Sequence, residues 1–143
     1  MAKINPYLNF LGNTEQAFNF YRSVFGGEFT MLQRFKDTAG AGDISPEDQD
    51  KIMHISLPIG DGNVLMGTDA LESMGQKLIA GNNFYLSISA ESKHEADRLF
   101  NALSAGGEVT MPLQKTFWGA YFGMLTDRFN ISWMVNYDYP PKD

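Results

Sequence analysis

Gly26-Gly27-Glu28-Phe29-Thr30-Met31 and Gly106-Gly107-Glu108-Val109-Thr110-Met111 are one hexapeptide written twice, GGEFTM and GGEVTM. Each copy follows a run with helical spacing and opens a run with strand spacing. At the same offset Glu15 pairs with Glu95 and Phe20 with Phe100, so the likeness reaches back through the helix. A unit repeated once in a short chain predicts a pseudo-symmetric domain built from two halves.

Working outward from the first copy, Asn13 is a good N-cap, and Gln16 three residues later can reach back to it. The helix that follows places Ala17, Phe20, Tyr21, Val24 and Phe25 on one face. Gly26 stands where a left-handed residue ends a helix. Strands are expected at residues 4–10, 29–35, 53–59 and 64–68. In the third of these Met53, Ile55, Leu57 and Ile59 fall on one face, and His54, Ser56 and Pro58 on the other. Gly60-Asp61-Gly62-Asn63 supplies the hairpin turn. Residues 36–51 are rich in glycine and acids, with Ser45-Pro46-Glu47-Asp48 as one helical turn. A segment of this length is a mobile solvated loop or a lid, and the loop is the reading taken.

Residues 69–81 are a polar connector without period. The second half then repeats the order: a strand at 83–89, a Ser92/Glu95 capping box, and a helix stripe of Ala96, Leu99, Phe100 and Leu103 ended by Gly106. Strands follow at 108–113, 117–126 and 131–137. Asp127-Arg128-Phe129-Asn130 is the turn before the last, with Asn130 able to take a left-handed conformation. The reading is βαβββ twice, an α+β chain in one domain, with module one at about 1–69, a connector at about 70–82 and module two at about 83–138.

Composition bounds the function. The chain has 143 residues, enough for a real core. Its 11 Lys+Arg against 17 Asp+Glu give a net charge of -6, and no basic run departs from that average, so no nucleic-acid partner is expected. There is no cysteine, which excludes disulfides, zinc thiolates and cysteine nucleophiles. Met1-Ala2-Lys3-Ile4 is too short and polar to open a signal peptide, and no apolar run is long enough to span a bilayer. A cytoplasmic protein with no membrane partner is expected.

The paired βαβββ order resembles the vicinal oxygen chelate superfamily, which includes glyoxalase I, extradiol dioxygenases and fosfomycin-resistance proteins. The segment Ala17-Phe18-Asn19-Phe20-Tyr21-Arg22-Ser23-Val24-Phe25-Gly26 is similar to that superfamily's helix signature. Thr116-Phe117-Trp118-Gly119, Phe122-Gly123, Thr126-Asp127-Arg128-Phe129 and Trp133-Met134-Val135-Asn136 resemble the PhnB-like branch, often called 3-demethylubiquinone methyltransferase-like. Asn5-Pro6-Tyr7-Leu8 with Gly12-Asn13, and Met53-His54, do so too. The resemblance implies the glyoxalase/bleomycin resistance/dihydroxybiphenyl dioxygenase fold, tandem modules forming a curled eight-stranded mixed sheet with two helices, and a homodimer.

In metal-dependent relatives a divalent ion is held by His or Glu from the first and last strands of each module. Carried onto this sequence, those positions are Pro6 (Asn5 or Tyr7 if shifted by one), Met66, Phe84 (or Tyr85) and Met134. None is a His or a carboxylate, and thioether or aromatic groups do not hold a hard divalent ion. No metal and no cofactor is therefore expected, unless Asp69 or Asn136 joins a rearranged site. His54 is the candidate catalytic base, since histidine is the side chain that ordinarily changes charge between pH 5 and 8. The bland alternative is a histidine satisfied by its neighbours. His94 reads as exposed. Tyr7, Ser56, Met66, Phe84, Trp118, Tyr121, Trp133 and Met134 are the candidate ligand-binding residues, lining an aromatic pocket for a small molecule; their alternative is ordinary core or dimer interface. No glycine-rich strand-to-helix turn for S-adenosylmethionine is present. The function expected is small-molecule binding, with or without turnover, on an unidentified substrate. The alternatives are a metal-dependent lyase, transferase or dioxygenase, and an interaction domain without a ligand.

Overall fold

The computed structural model describes residues 2–38 and 40–141; Met1, and Ala39 inside the segment read as irregular, lie outside them. The chain divides into two compact units, Met1–Ile79 and Ala80–Asp143. The first contains β1 (Tyr7–Phe10), α1 (Thr14–Phe25), β2 (Met31–Arg34), β3 (Ile52–Ile59) and β4 (Asn63–Asp69). The second contains β5 (Leu86–Ser89), α2 (Lys93–Ser104), β6 (Glu108–Lys115), β7 (Ala120–Thr126) and β8 (Ser132–Asp138). The repeated βαβββ order is therefore the architecture. The eight strands form two four-stranded mixed sheets, ordered β1-β4-β3-β2 and β5-β8-β7-β6. In each the first strand runs parallel to the last and the other pairs are antiparallel. Parallel pairing needs a crossover, and the helix of each unit supplies it.

Both copies of the glycine-rich hexapeptide perform the handover. Gly26 (φ 79°) and Gly27 (φ 84°), and Gly106 (φ 77°) in the second copy, take the left-handed backbone that releases the chain from the helix. The Thr30 N–H then donates to the Ser56 carbonyl and β2 begins at Met31.

Two expectations about the first helix are corrected. The buried face is Thr14, Ala17, Phe18, Tyr21 and Val24, while Phe20 and Phe25 are only half-buried. Aromatic residues occur on both flanks of this helix, so periodicity could not choose between them. The sheet chooses: Gly67 leaves room for the Phe18 ring, whose Cε1 lies 2.6 Å from where a Cβ at position 67 would stand. Asn13 makes no side-chain cap. The buried Asp69 carboxylate at the end of β4 replaces it. Its Oδ1 accepts from the Thr14 N–H (3.1 Å), the Thr14 hydroxyl (2.6 Å) and the Gly12 N–H (3.0 Å), and its Oδ2 from the Ile52 N–H (2.8 Å). A cap from 55 residues away in sequence leaves no local signal. The second helix follows its pattern, with Ala96, Leu99, Phe100 and Leu103 buried and the Ser92 hydroxyl accepting from the Glu95 N–H. Glu95 itself reaches the Glu91 N–H, one residue beyond the ideal box.

Other boundaries moved for identifiable reasons. Residues 116–119 form the turn between β6 and β7, closed by the Gly119 N–H on the Thr116 carbonyl, so β7 starts at Ala120. Strand β6 continues through Pro112 to Lys115, which an edge strand with irregular register tolerates. The described residues between 35 and 51 include 3₁₀ turns at Phe35–Asp37, Ala41–Asp43 and Pro46–Asp48. Asp48 fastens them: it accepts from Lys51 Nζ (2.7 Å), Ser73 Oγ (2.6 Å) and Ser45 Oγ (2.9 Å). Arg34 adds a two-pronged contact to Glu15 (2.7 and 3.1 Å) and a bond to the Asp50 carbonyl (2.9 Å).

Candidate functional site

Each sheet packs one face against the helix of its own unit and turns the other face away from that helix. In the first unit Leu8, Phe10, Ile55, Leu57 and Leu65 are buried on the helix side. Alternation places their neighbours on the other face. The register then aligns Tyr7, Met66, Ser56 and Met31 in one row across all four strands, β1-β4-β3-β2. The next row carries Asn9 and Thr68, paired across β1 and β4, and His54 and Gln33, paired across β3 and β2.

Three of the predicted residues meet there. The Tyr7 phenol oxygen lies 3.2 Å from His54 Nδ1, and His54 Nε2 lies 2.9 Å from Ser56 Oγ. The Tyr7 and His54 rings are 5.6 Å apart between centroids. His54 and Ser56 share a face because they are two apart on one strand; Tyr7 reaches them from β1 across β4. Both imidazole nitrogens are engaged by hydroxyls, Tyr7 is 45% exposed, and Ser56 is buried between its cross-strand partners Met31 and Met66.

The second unit repeats the row with other chemistry. Ser87, Met134, Met124 and Met111 pair in sequence across β5, β8, β7 and β6. Met111 is the last residue of the second hexapeptide and Met31 the last of the first, and both occupy the β2-type edge of the row. The repeat thus carries a residue of the helix-free face, and that was its unread signal. Gln33, Asn9, Met31, Ser87, Met111 and Met124 were not among the predicted site residues.

The remaining predictions scatter. Phe84 precedes β5 and is exposed, so the β5 position facing Met134 is Ser87 rather than Phe84 or Tyr85. Trp118 is exposed in the β6–β7 turn, edge-on to Phe117 and Phe122. Tyr121 donates from its hydroxyl to Asp97 Oδ1 of α2 at 2.5 Å. That bond, aided by burial, pushes its phenol up to about 12. Trp133 is 3% exposed, and its Nε1–H donates to Asp127 Oδ2 at 2.9 Å. Strand alternation puts it on the face opposite Met134, so Trp133 is core of the second unit and not part of the row. Its partner Asp127 also accepts from the Phe129 and Ile131 N–H groups, as a turn-shaping residue does, and Asn130 has the expected positive φ of 68°.

These donors do not fit the divalent ion of the metal-dependent relatives. The register positions hold Tyr7, Met66, Ser87 and Met134, which offer phenol, hydroxyl and thioether groups. Of the two residues kept in reserve for a rearranged site, Asp69 is taken up by backbone N–H groups and the Thr14 hydroxyl, and Asn136 donates through Nδ2 to Asp138 Oδ1 at 3.0 Å. Among the described residues no three of His, Cys, Asp or Glu converge.

Comparison with known proteins shows the same fold and a family. Protein YjdN of Escherichia coli (strain K12) is 30% identical over 141 residues, covering 93% of each chain. The crystal structure of protein PA1353 from Pseudomonas aeruginosa shares 40% identity, covers 96% of this chain and 98% of its own, and superimposes with a TM-score of 0.85. A putative 3-demethylubiquinone-9 3-methyltransferase, PhnB protein, from Bacillus cereus shares 26% identity over 95% of this chain and 99% of its own, with a TM-score of 0.75. The fold alone is shared with a glyoxalase/bleomycin resistance protein/dioxygenase family enzyme from Burkholderia phytofirmans PsJN, at 21% identity over 93% and 97% of the two chains and a TM-score of 0.61. The family model described as 3-demethylubiquinone-9 3-methyltransferase matches residues 2–136, and the chain belongs to that PhnB-like family of the glyoxalase fold.

Proposed function

We propose that this protein binds a small organic molecule on the helix-free face of its first unit, with His54 as the acid–base group, and works without the divalent metal of its distant relatives. The observation that carries the reading is the Tyr7–His54–Ser56 chain. It places an imidazole between two hydroxyls on the sheet face turned away from α1. The exposed Met31 and half-buried Met66 thioethers beside it supply an adaptable apolar wall.

The test is a thermal-shift screen of the wild type and His54→Ala against a neutral and ionic small-molecule library. Hits that stabilise the wild type and not the variant support the reading; an equal response from both removes His54 from the site. The competing reading, a metal-dependent lyase, transferase or dioxygenase, predicts stoichiometric stabilisation by Ni, Mn or Zn, which this donor set disfavours. A homodimer belongs to the same proposal, supported by the large apolar side chains exposed at Phe84, Phe117 and Trp118. Sedimentation at micromolar concentration checks it, and a single monomeric species refutes it.

A further inference from the structure

We infer that the second unit carries a site for a soft monovalent metal ion, copper(I) or silver(I), built from the thioethers of Met111, Met124 and Met134; this goes beyond the small-molecule reading of the first unit. The strand register brings the three together. Met134 of β8 pairs with Met124 of β7, and Met124 pairs with Met111 of β6, so they stand side by side on consecutive strands. The first unit's row runs Tyr7, Met66, Ser56, Met31 and has a serine where the second has Met124. Of the two rows, only the second sets three thioethers next to one another without a gap.

All three share the face turned away from α2. On β8, Trp133 and Val135 are buried, and Met134 between them is not. On β7, Gly123 and Leu125 are buried, and a Cβ at position 123 would lie 2.8 Å from the Phe100 ring of α2. Met124 between them therefore faces the other way. Strand β6 has a register irregularity on each side of Met111. Val109 partners Leu125, Met111 partners Met124 and Gln114 partners Phe122, so each irregularity takes up one extra residue of β6. Met111 and Gln114 thereby return to the face of Met124 and Phe122. Neighbouring strands are about 4.8 Å apart, which puts the outer two Cα atoms about 10 Å apart with Met124 midway. Methionine is unbranched with three rotatable bonds, so the outer two side chains can lean over the central strand. All three are half-buried, which leaves an ion a way in.

The donor set chooses the ion. A thioether is a neutral, soft ligand that selects copper(I) and does not hold a hard divalent cation. On one side of the row lie Asn136, Phe122 and Gln114, and on the other Ser132, Thr126 and the exposed Glu108. No imidazole and no second carboxylate joins Glu108 in these rows, so a hard ion finds no ligand set. The Phe122 ring, two residues from Met124 on the same strand face, adds an aromatic neighbour for a cation. The net charge of -6 draws cations toward the chain. Of the positions onto which the relatives' divalent site carries over, only Met134 belongs to this row, so the site is a different one.

The experiment titrates the full chain, labelled with carbon-13 at the methyl groups of its eight methionines, with silver(I) in chloride-free buffer and with copper(I) under reducing, oxygen-free conditions. The methyl signals of Met111, Met124 and Met134, assigned through the single Met→Leu variants, should shift together and saturate at one ion per chain. Those of the other methionines should stay in place, and zinc(II) or nickel(II) should move none of the three. Thioethers bind without losing a proton, so silver affinity should be equal at pH 5.5 and pH 7.5, whereas a histidine ligand would weaken at the lower value. Met124→Leu is a volume-conserving swap that spares the fold. It should lower silver affinity roughly ten- to a hundredfold, as should Met111→Leu and Met134→Leu. No shift at the three methyl groups with one equivalent of silver overturns the inference. So does a response that follows exposure, led by Met31 and Met74, or an affinity that falls at pH 5.5. Movement of the three signals by small organic molecules and not by silver also overturns it, making the row an apolar wall. Each of these outcomes leaves the His54 face to its own thermal-shift test.

Discussion

Replacing Asp69 with Ala tests how the first unit is held together. The carboxylate is 2% exposed and accepts four hydrogen bonds, from Gly12, from the Thr14 amide and hydroxyl, and from Ile52. It joins the end of β4 to the start of α1 and the start of β3. Hydrogen bonds to a charged group are worth about 1.5–3 kcal/mol each, but four cannot simply be summed. Gly12 is exposed and its N–H recovers a partner in water, and the Thr14 hydroxyl can rotate to another acceptor. The Thr14 and Ile52 N–H groups are buried and have no such recourse. Two orphaned donors, one of them the capped first-turn N–H of α1, come to about 3–5 kcal/mol. For a chain of this length that lowers Tm by roughly 10–15 °C. Urea denaturation followed by tryptophan fluorescence measures the loss, with an unchanged m-value showing that the two states compared are the same. Asp69→Asn keeps the shape but turns an amide NH₂ toward a backbone N–H, and should cost about 2 kcal/mol. A loss below about 1 kcal/mol for the alanine variant would refute the view that this carboxylate is a structural clasp.

Other expectations follow from single contacts. Gly67→Ala sets a Cβ 2.6 Å from Phe18 Cε1 and 3.2 Å from the Leu8 carbonyl, against a ring with 0% exposure; it should destabilise by about 1–3 kcal/mol in the same denaturation assay. Tyr121, with its phenol pushed up to about 12 chiefly by its bond to Asp97, should ionise well above the usual phenol range in an ultraviolet pH titration, and Asp97→Asn should bring it down. Because that folded-state value is raised, its stabilisation is complete below pH 10 and is lost as pH rises toward 12. Asp48 is the opposite case: Lys51, then Ser73 and Ser45, lower its carboxyl from 3.8 to about 2. Its contribution is present above pH 3.8 and lost as pH falls toward 2, so amide exchange at residues 45–51 should accelerate over that interval. Unchanged protection there would show that the Asp48 bonds do not hold the segment.

Part of the geometry of the candidate site was legible before folding, because β-strand alternation is a strict local rule. Met53-His54-Ile55-Ser56 says on its own that His54 and Ser56 share a face, and the structure adds the 2.9 Å bond between them. Trp133 and Met134 obey the same rule, but the sequence could not tell which of two apolar neighbours faces the helix. Only packing of the sheet on α2 decides that, and it buries the tryptophan. Tyr121 was read as pocket lining for its ring, yet its hydroxyl is spent on Asp97.

What the sequence determined by itself is the order of elements and where the chain changes hands. The doubled glycine-rich hexapeptide, the turn residues and the two periodicities are local signals that act over a few residues. The βαβββ repeat could be read from them directly. The tertiary structure decided which residues are neighbours across strands. It brought Tyr7 to His54, 47 residues apart, set Asp69 on the first turn of α1, and aligned the last methionine of each hexapeptide with the helix-free face. Strand register, long-range caps and the choice of buried flank depend on contacts made only when distant segments pack, and no local pattern encodes them.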